Sequence, residues 1–146
     1  MTSTLPTSTP TGVRGLAERY FAAVNTHDWE ALAAVLHPDV EVRHGMTLST
    51  TGNEKAVRLL TAVVRQFAEH EDRPVRYVVE GAAAAVEIEF VGRRHDGVAV
   101  AFDAVDVIDT DGERITRVVS WYDTAAVLPM IRGDQDGSGA DKEAIA

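Results

Sequence analysis

At Pro74 the spacing of apolar residues changes from a helical repeat to strict alternation, and it stays alternating through the last strand-like stretch. That switch constrains the fold more than any other feature, because one face of a helix recurs about every 3.6 residues and one face of a strand every two. Upstream, Val13, Leu16, Tyr20 and Val24 recur at helical spacing, with Pro10 placed as a first-turn residue after Thr9. Asp28 is an N-cap candidate for a second, short helix through Trp29, Ala31, Leu32 and Val35, which stops before Pro38. The stretch VEVRHG then alternates, with Val40, Val42 and His44 on one face and Glu41 and Arg43 on the other. Ala56, Leu60, Val63, Val64 and Phe67 predict a third helix from Asn53 to about Glu69. Downstream, RYVVEG, AAAVEIEFVG, VAVAFDAVDVID and ERITRVVSWYD read as strands, separated by EGA, RRHDG and DTDG, whose Gly and Asp suit hairpin turns. Helices first and a meander afterwards predict an α+β domain, with three N-terminal helices on one face of a curved antiparallel sheet and a cavity at its open end.

With 146 residues, 45% of them hydrophobic, the chain has room for one core. A single domain is expected over 11–131, between a Ser/Thr/Pro-rich arm (1–10) and a polar, Gly-rich tail (132–146), both too poor in apolar residues to order themselves. The formal charge of -9 argues against nucleic acid or an anionic membrane as partner. Arg93, Arg94 and His95 form the one basic cluster, which reads as a solvated turn. Absence of cysteine excludes disulfides, thiolate metal sites and a cysteine nucleophile. His27, His37, His70 and His95 are expected solvated at helix ends or turns, so neither a metal nor a cofactor is expected, and no phosphate loop, nucleophile elbow or dinucleotide fingerprint occurs. No stretch is long and apolar enough for a signal peptide or a membrane span, which makes the cytoplasm the expected location.

The chemistry-bearing candidates are few. His44 shares a face with Val40 and Val42; it is either a hydrogen-bonded or exposed histidine at a strand end, or a general base that titrates near neutrality. In FDAVDVIDTDG, Asp106 shares one face with Phe102, Ala104 and Ile108, and Asp103 and Asp109 share the other with Val105 and Val107. Both faces are apolar, and a carboxylate in an apolar core is costly unless paired or neutralised, so Asp103 or Asp106 has a buried or intermolecular role. Asp109 and Asp111 read as turn residues. Ala99, Ala101, Val105, Val107, Val119 and Trp121 make the outward face too apolar for a solvated sheet, and a homodimer through it is expected.

The order of elements, together with ERYFAAVNTHDWEALAAVLHPDVEV and FDAVDVIDTDGERITRVVSWYD, resembles the nuclear transport factor 2-like superfamily, which includes SnoaL-like polyketide cyclases, limonene epoxide hydrolase and ketosteroid isomerase. The resemblance covers roughly residues 12–130 and implies a cone-shaped, cystatin-like fold. Carried over from ketosteroid isomerase, it implies that Tyr20 donates to a substrate oxyanion and that Asp106 is the inward acid, kept neutral as a second donor. His44 stands where that family has its aspartate base. The same comparison places Val118, Ser120 and Tyr122 on the cavity wall beside Phe102, Ala104 and Leu60. Asp106 then either donates a hydrogen bond to a developing enolate or, ionised, orients His44. The epoxide hydrolase pattern fits poorly, because its water-activating aspartate falls on Ser120 and its Arg-x-Asp pair is missing. The implied activity is cofactor-free acid–base chemistry (isomerisation, dehydration or aldol-type cyclisation) on a hydrophobic, carbonyl-bearing metabolite such as a polyketide or terpenoid. The alternative is a ligand carrier or dimerisation module, its cavity filled by Phe21, Phe102 and Tyr122.

Overall fold

The structure, a computed structural model, describes residues 12–133; residues 1–11, Thr9 and Pro10 among them, and 134–146 lie outside it. In chain order the elements are α1 (Gly12–Thr26), α2 (Trp29–Val35), β1 (Leu36–His44), β2 (Leu48–Thr51), α3 (Asn53–Val64), β3 (Phe67–Glu80), β4 (Ala83–Arg94), β5 (Ala99–Thr110), β6 (Ile115–Trp121) and α4 (Thr124–Arg132). The fold is α+β, with the helices set against one curved six-stranded sheet of order β2-β1-β6-β5-β4-β3. Four of its junctions are antiparallel, but β1 and β6 run parallel, so the sheet is mixed rather than wholly antiparallel. The strands that meet there are joined by a long excursion through α3 and β3–β5, and such a crossover leaves the partner's direction unconstrained by any hairpin.

The predicted helical stripe of α1 is buried as expected, at Val13, Leu16, Tyr20 and Val24. The Asp28 carboxylate accepts from the Ala31 N–H at 3.0 Å and starts α2. Helix α3 ends at Val64, short of the expected Glu69, and Phe67 opens a 14-residue strand that runs straight through Pro74. Proline is tolerated there because β3 is an edge strand. Register shifts at Phe67/Glu69 and Pro74/Arg76 break the alternation that would have revealed this strand. Strand β2 and helix α4 carry no period long enough to read, and Arg132, grouped with the tail by composition, closes α4 with Gly133 as its left-handed C-cap. Hairpins form at DTDG and RRHDG, where Gly112 and Gly97 take φ of 95° and 91°.

Several surface expectations change. Arg94 is not solvated: its side chain is 12% exposed, pairs with Asp96 and donates to the Met130 carbonyl at 3.0 Å, tying β4 to α4. Asp109 lies in β5 rather than the turn and faces Arg117 at 3.6 Å, whereas Asp111 does accept from the Glu113 and Arg114 N–H groups. His70 is half-buried within β3 rather than at a helix end of its own, and its Nε2 lies 2.7 Å from Nε2 of the exposed His27 just after α1. On the outward face Ala99, Ala101 and Trp121 are exposed and Val105 and Val107 half-buried. Val119 is fully buried instead, flanked in register by Arg43 and Val107 on the same face. No helix among the described residues is long and apolar enough to cross a membrane.

Two apolar clusters fill the space between helices and sheet. The larger joins α1–α3 to the sheet through residues such as Leu32, Leu36, Val40, Val42, Ile108 and Ile115. The smaller consists of Phe67, Phe90 and Val100, with Phe102, Met130 and Ile131 against it. A cavity lies where the two do not merge, drawing walls from both.

Candidate active site

Strand register assembles the polar floor of this cavity. His44 on β1 pairs with Ser120 on β6, and Ser120 pairs with Asp106 on β5, so the three stand in one row on the inward face. Neighbouring strands lie about 4.8 Å apart, which separates the α-carbons of His44 and Asp106 by roughly 10 Å with Ser120 between them. Tyr20 reaches the same cavity from α1, and Leu60 from α3. Phe102, Ala104, Ser120 and Tyr122 line it too, as the sequence comparison implied. Val118 does not: it is fully buried in the larger core cluster, beneath the floor, paired with Val42 and Ile108. The cavity measures about 90 Å³. A wider, shallower groove of about 470 Å³ runs between α1 and α2, where Arg19, Asp28 and Glu113 stand around a patch of alanines, and none of the sequence-predicted site residues lines it.

The electrostatics follow from burial. Asp106 is 6% exposed, and desolvation pushes its carboxyl up to about 7, against the pull of a hydrogen bond from Ser120 and with a further push from Asp72. Tyr20 is buried and its phenol rises well above the usual value, first through desolvation and then through the charges of Asp106 and Asp72. Desolvation lowers His44, so its imidazole is neutral at pH 7. Neither of those shifts includes a contribution from one partner to the other, and no hydrogen bond joins His44 to Asp106. Of the two arrangements the sequence left open, burial favours the protonated form of Asp106, and no contact joins its carboxyl to His44.

Aromatic rings make the remaining wall. Phe90 stacks on Phe102 at 4.7 Å, Phe102 meets Tyr122 at 5.7 Å, and Tyr122 meets the His44 ring edge-on at 6.3 Å. The Tyr122 phenol bonds Thr47, whose hydroxyl donates to the His44 carbonyl at 2.9 Å, so the β1–β2 turn fixes Tyr122 as wall.

One cavity residue escaped the sequence reading. Asp72 on β3 faces the cavity, and burial followed by the neighbouring Glu71 raises its carboxyl to about 6. The helix predicted to Glu69 and the strand predicted only after Pro74 left it in a supposed loop. Its immediate neighbours, EHEDRP, are charged or polar, so no local pattern marks this acid as inward. Among the described residues no group of three or more metal-ligating side chains occurs.

A family model described as the SnoaL-like domain matches residues 17–118, most of the described fold. The chain belongs to the SnoaL-like domain family. No curated protein matches it. Among solved structures, the SnoaL-like chain is similar to TerC co-crystallised with polyporic acid, at 20% identity and a TM-score of 0.72 over 80% of this chain and 95% of that one. An epoxide hydrolase of the limonene epoxide hydrolase type from M. tuberculosis gives 21%, 0.69, 80% and 85%. A hypothetical protein from Catenulispora acidiphila with a ketosteroid isomerase-like fold, in complex with trimethylamine, gives 17%, 0.71, 77% and 88%. At these identities the likeness establishes the SnoaL-like fold and its curved mixed sheet, not an activity.

Proposed function

We propose that this SnoaL-like protein is a cofactor-free enzyme that moves protons on a carbonyl-bearing, largely hydrophobic metabolite, in an isomerisation, dehydration or aldol-type cyclisation. The observation that carries the reading is the convergence of Tyr20, His44 and Asp106, from α1, β1 and β5, on one apolar cavity. Neutral Asp106 and Tyr20 are donors for a developing enolate oxygen, and neutral His44 accepts the proton. A volume of about 90 Å³ takes a single ring or the end of a longer molecule, and the half-exposed Tyr122, Val63 and Ile131 then meet whatever projects from it. A polyketide or terpenoid entering by one carbonyl-bearing end fits that shape, and structural relatives that include TerC with polyporic acid support it. The test is turnover of small enones and β-dicarbonyl compounds by wild type and His44→Ala. A fall of about a hundredfold is expected, and an undiminished rate removes His44 from the mechanism.

A second reading, a ligand carrier without catalysis, is favoured by the small cavity and by the missing His44–Asp106 contact. Saturable binding of those compounds with no turnover at any pH from 5 to 9 would select it.

Pairing of two copies through the outer sheet face belongs to the same proposal. Trp121, 44% exposed, stands with exposed Ala99 and Ala101, and with Val105 opposite it in register. Light scattering should give twice the chain mass at micromolar concentration, and Trp121→Glu should give the monomer. A wild-type monomer would contradict it.

A further inference from the structure

Asp72 has no part in that mechanism, yet a specific tertiary contact fixes its position. Its main chain is clamped at both polar groups by one side chain: Asn25 Nδ2 donates to the Asp72 carbonyl at 2.9 Å, and the Asp72 N–H donates to Asn25 Oδ1 at 2.9 Å. Asn25 lies at the end of α1, five residues beyond Tyr20, so this clamp closes the free edge of β3 onto the helix that also carries Tyr20. The Asp72 side chain is turned into the cavity, and no ion pair or side-chain hydrogen bond engages its half-buried carboxyl. No lysine or arginine lines the cavity to compensate it. A carboxyl held so, without a partner, costs stability, and acids of this kind concentrate at functional sites.

Placement matters as much as burial. In the sheet order His44 on β1 and Asp72 on β3 stand four strands apart, with β6, β5 and β4 between them, and the curvature of the sheet turns both toward one cavity. Isomerisation and dehydration each take a proton from one atom and deliver one to another. Two acid–base groups at opposite ends serve such a transfer better than one.

We propose that Asp72 is a second proton-transfer residue of the cavity, a carboxylate base that works on the opposite end of the ligand from His44. The inference rests on the proton-transfer reading of the site. In its elementary step the Asp72 carboxylate takes a proton from the carbon next to the ligand carbonyl. The C–H electron pair becomes the enolate C=C bond, the carbonyl π pair moves to oxygen, and Tyr20 and Asp106 hydrogen-bond that oxygen. Return of the proton to carbon reverses the step. A carboxyl that titrates near 6 is mostly ionised at pH 7 and is a far stronger base than an exposed aspartate, which suits it to this work. The other titratable groups facing the cavity are Tyr20 from α1, His44 from β1, Asp106 from β5 and Tyr122 after β6, with Glu71 adjacent on β3.

The experiment follows exchange of the α-hydrogens of cyclopentanone in D2O by proton NMR, comparing wild type, Asp72→Asn, Asp72→Ser and His44→Ala between pH 5 and 8. Asparagine is isosteric with aspartate, and the serine variant guards against a fold defect in either one. The expected result is exchange faster than buffer for the wild type, a rate that falls below about pH 6, and a loss of at least about tenfold in both Asp72 variants together with that acid limb. Loss in His44→Ala with Asp72→Asn unchanged overturns the inference and leaves the proposed function standing. Loss in the Asp72 variants with His44→Ala unchanged upholds Asp72 and removes the role given to His44. Wild-type exchange no faster than buffer overturns both.

Discussion

Asp106→Asn will be more stable than the wild type at pH 8 and no more stable at pH 4. The Asp106 carboxyl has an ordinary value of 3.8 and is pushed up to about 7 by burial, so the folded chain binds its proton more tightly than the unfolded chain does. Stability from that proton is fully present below the unfolded value, near pH 4. It is lost as the pH rises toward 7, and above 7 the folded chain carries a buried, ionised carboxylate. From 3.8 to about 7 corresponds to roughly 4 kcal/mol. Asparagine has no charge to desolvate, and its amide oxygen still accepts from Ser120, so the substitution removes the penalty and keeps the bond. Asp72, raised to about 6 by the same cause, adds a loss of the same sign over pH 4 to 6 in both proteins, which the comparison subtracts. Urea unfolding of the two proteins at pH 4, 6 and 8 reads the difference. Parallel stability curves would show that Asp106 is not desolvated, and with it the oxyanion role given to this residue would go.

Leu60→Ala should cost stability and open the cavity together. Leu60 is 5% exposed on α3 and touches both the larger core cluster and the cavity. Truncation of a buried leucine costs about 2–5 kcal/mol, with the higher values where the surroundings cannot collapse. Here the space left behind adjoins an existing cavity of about 90 Å³ rather than close-packed core, so collapse is hindered and a cost of about 3–4 kcal/mol is expected. The enlarged hollow should then bind a two-ring ketone that the wild type excludes. Denaturant midpoints measure the first effect and ligand-induced NMR shifts the second. A small loss with no change in ligand size would mean that α3 has closed over the gap, and that helix position, not the Leu60 side chain, sets the size of the site.

Most of the architecture was legible because one-sided burial writes a period into the chain. The stripes of α1 and α2, the long strands β4–β6 and their glycine turns follow from it directly. Elements that bury little, or that slip register, leave no such trace. β2 has four mostly exposed residues, and β3 contains two register shifts and a proline, which is why its inward acid Asp72 went unread. Val118 and Val119 show the same limit from the other side. Parity assigns them to opposite faces, but both are fully buried, because neighbouring strands and their side chains, not alternation, decide what covers a residue.

The site divides along the same line. Alternation alone placed His44 with Val40 and Val42, and placed Asp106 with Phe102 and Ala104; family resemblance made Asp106 the inward acid. Neither could say that Ser120 would stand between the two, since that depends on the parallel pairing of β1 with β6 and the antiparallel pairing of β6 with β5. Short-range pattern in the sequence determined which side chains share a face, because the faces of helices and strands are local properties of the backbone. Only the tertiary structure decided which inward groups meet, how dry their surroundings are and that Asp72 joins them, because pairing and desolvation arise between segments far apart in the chain.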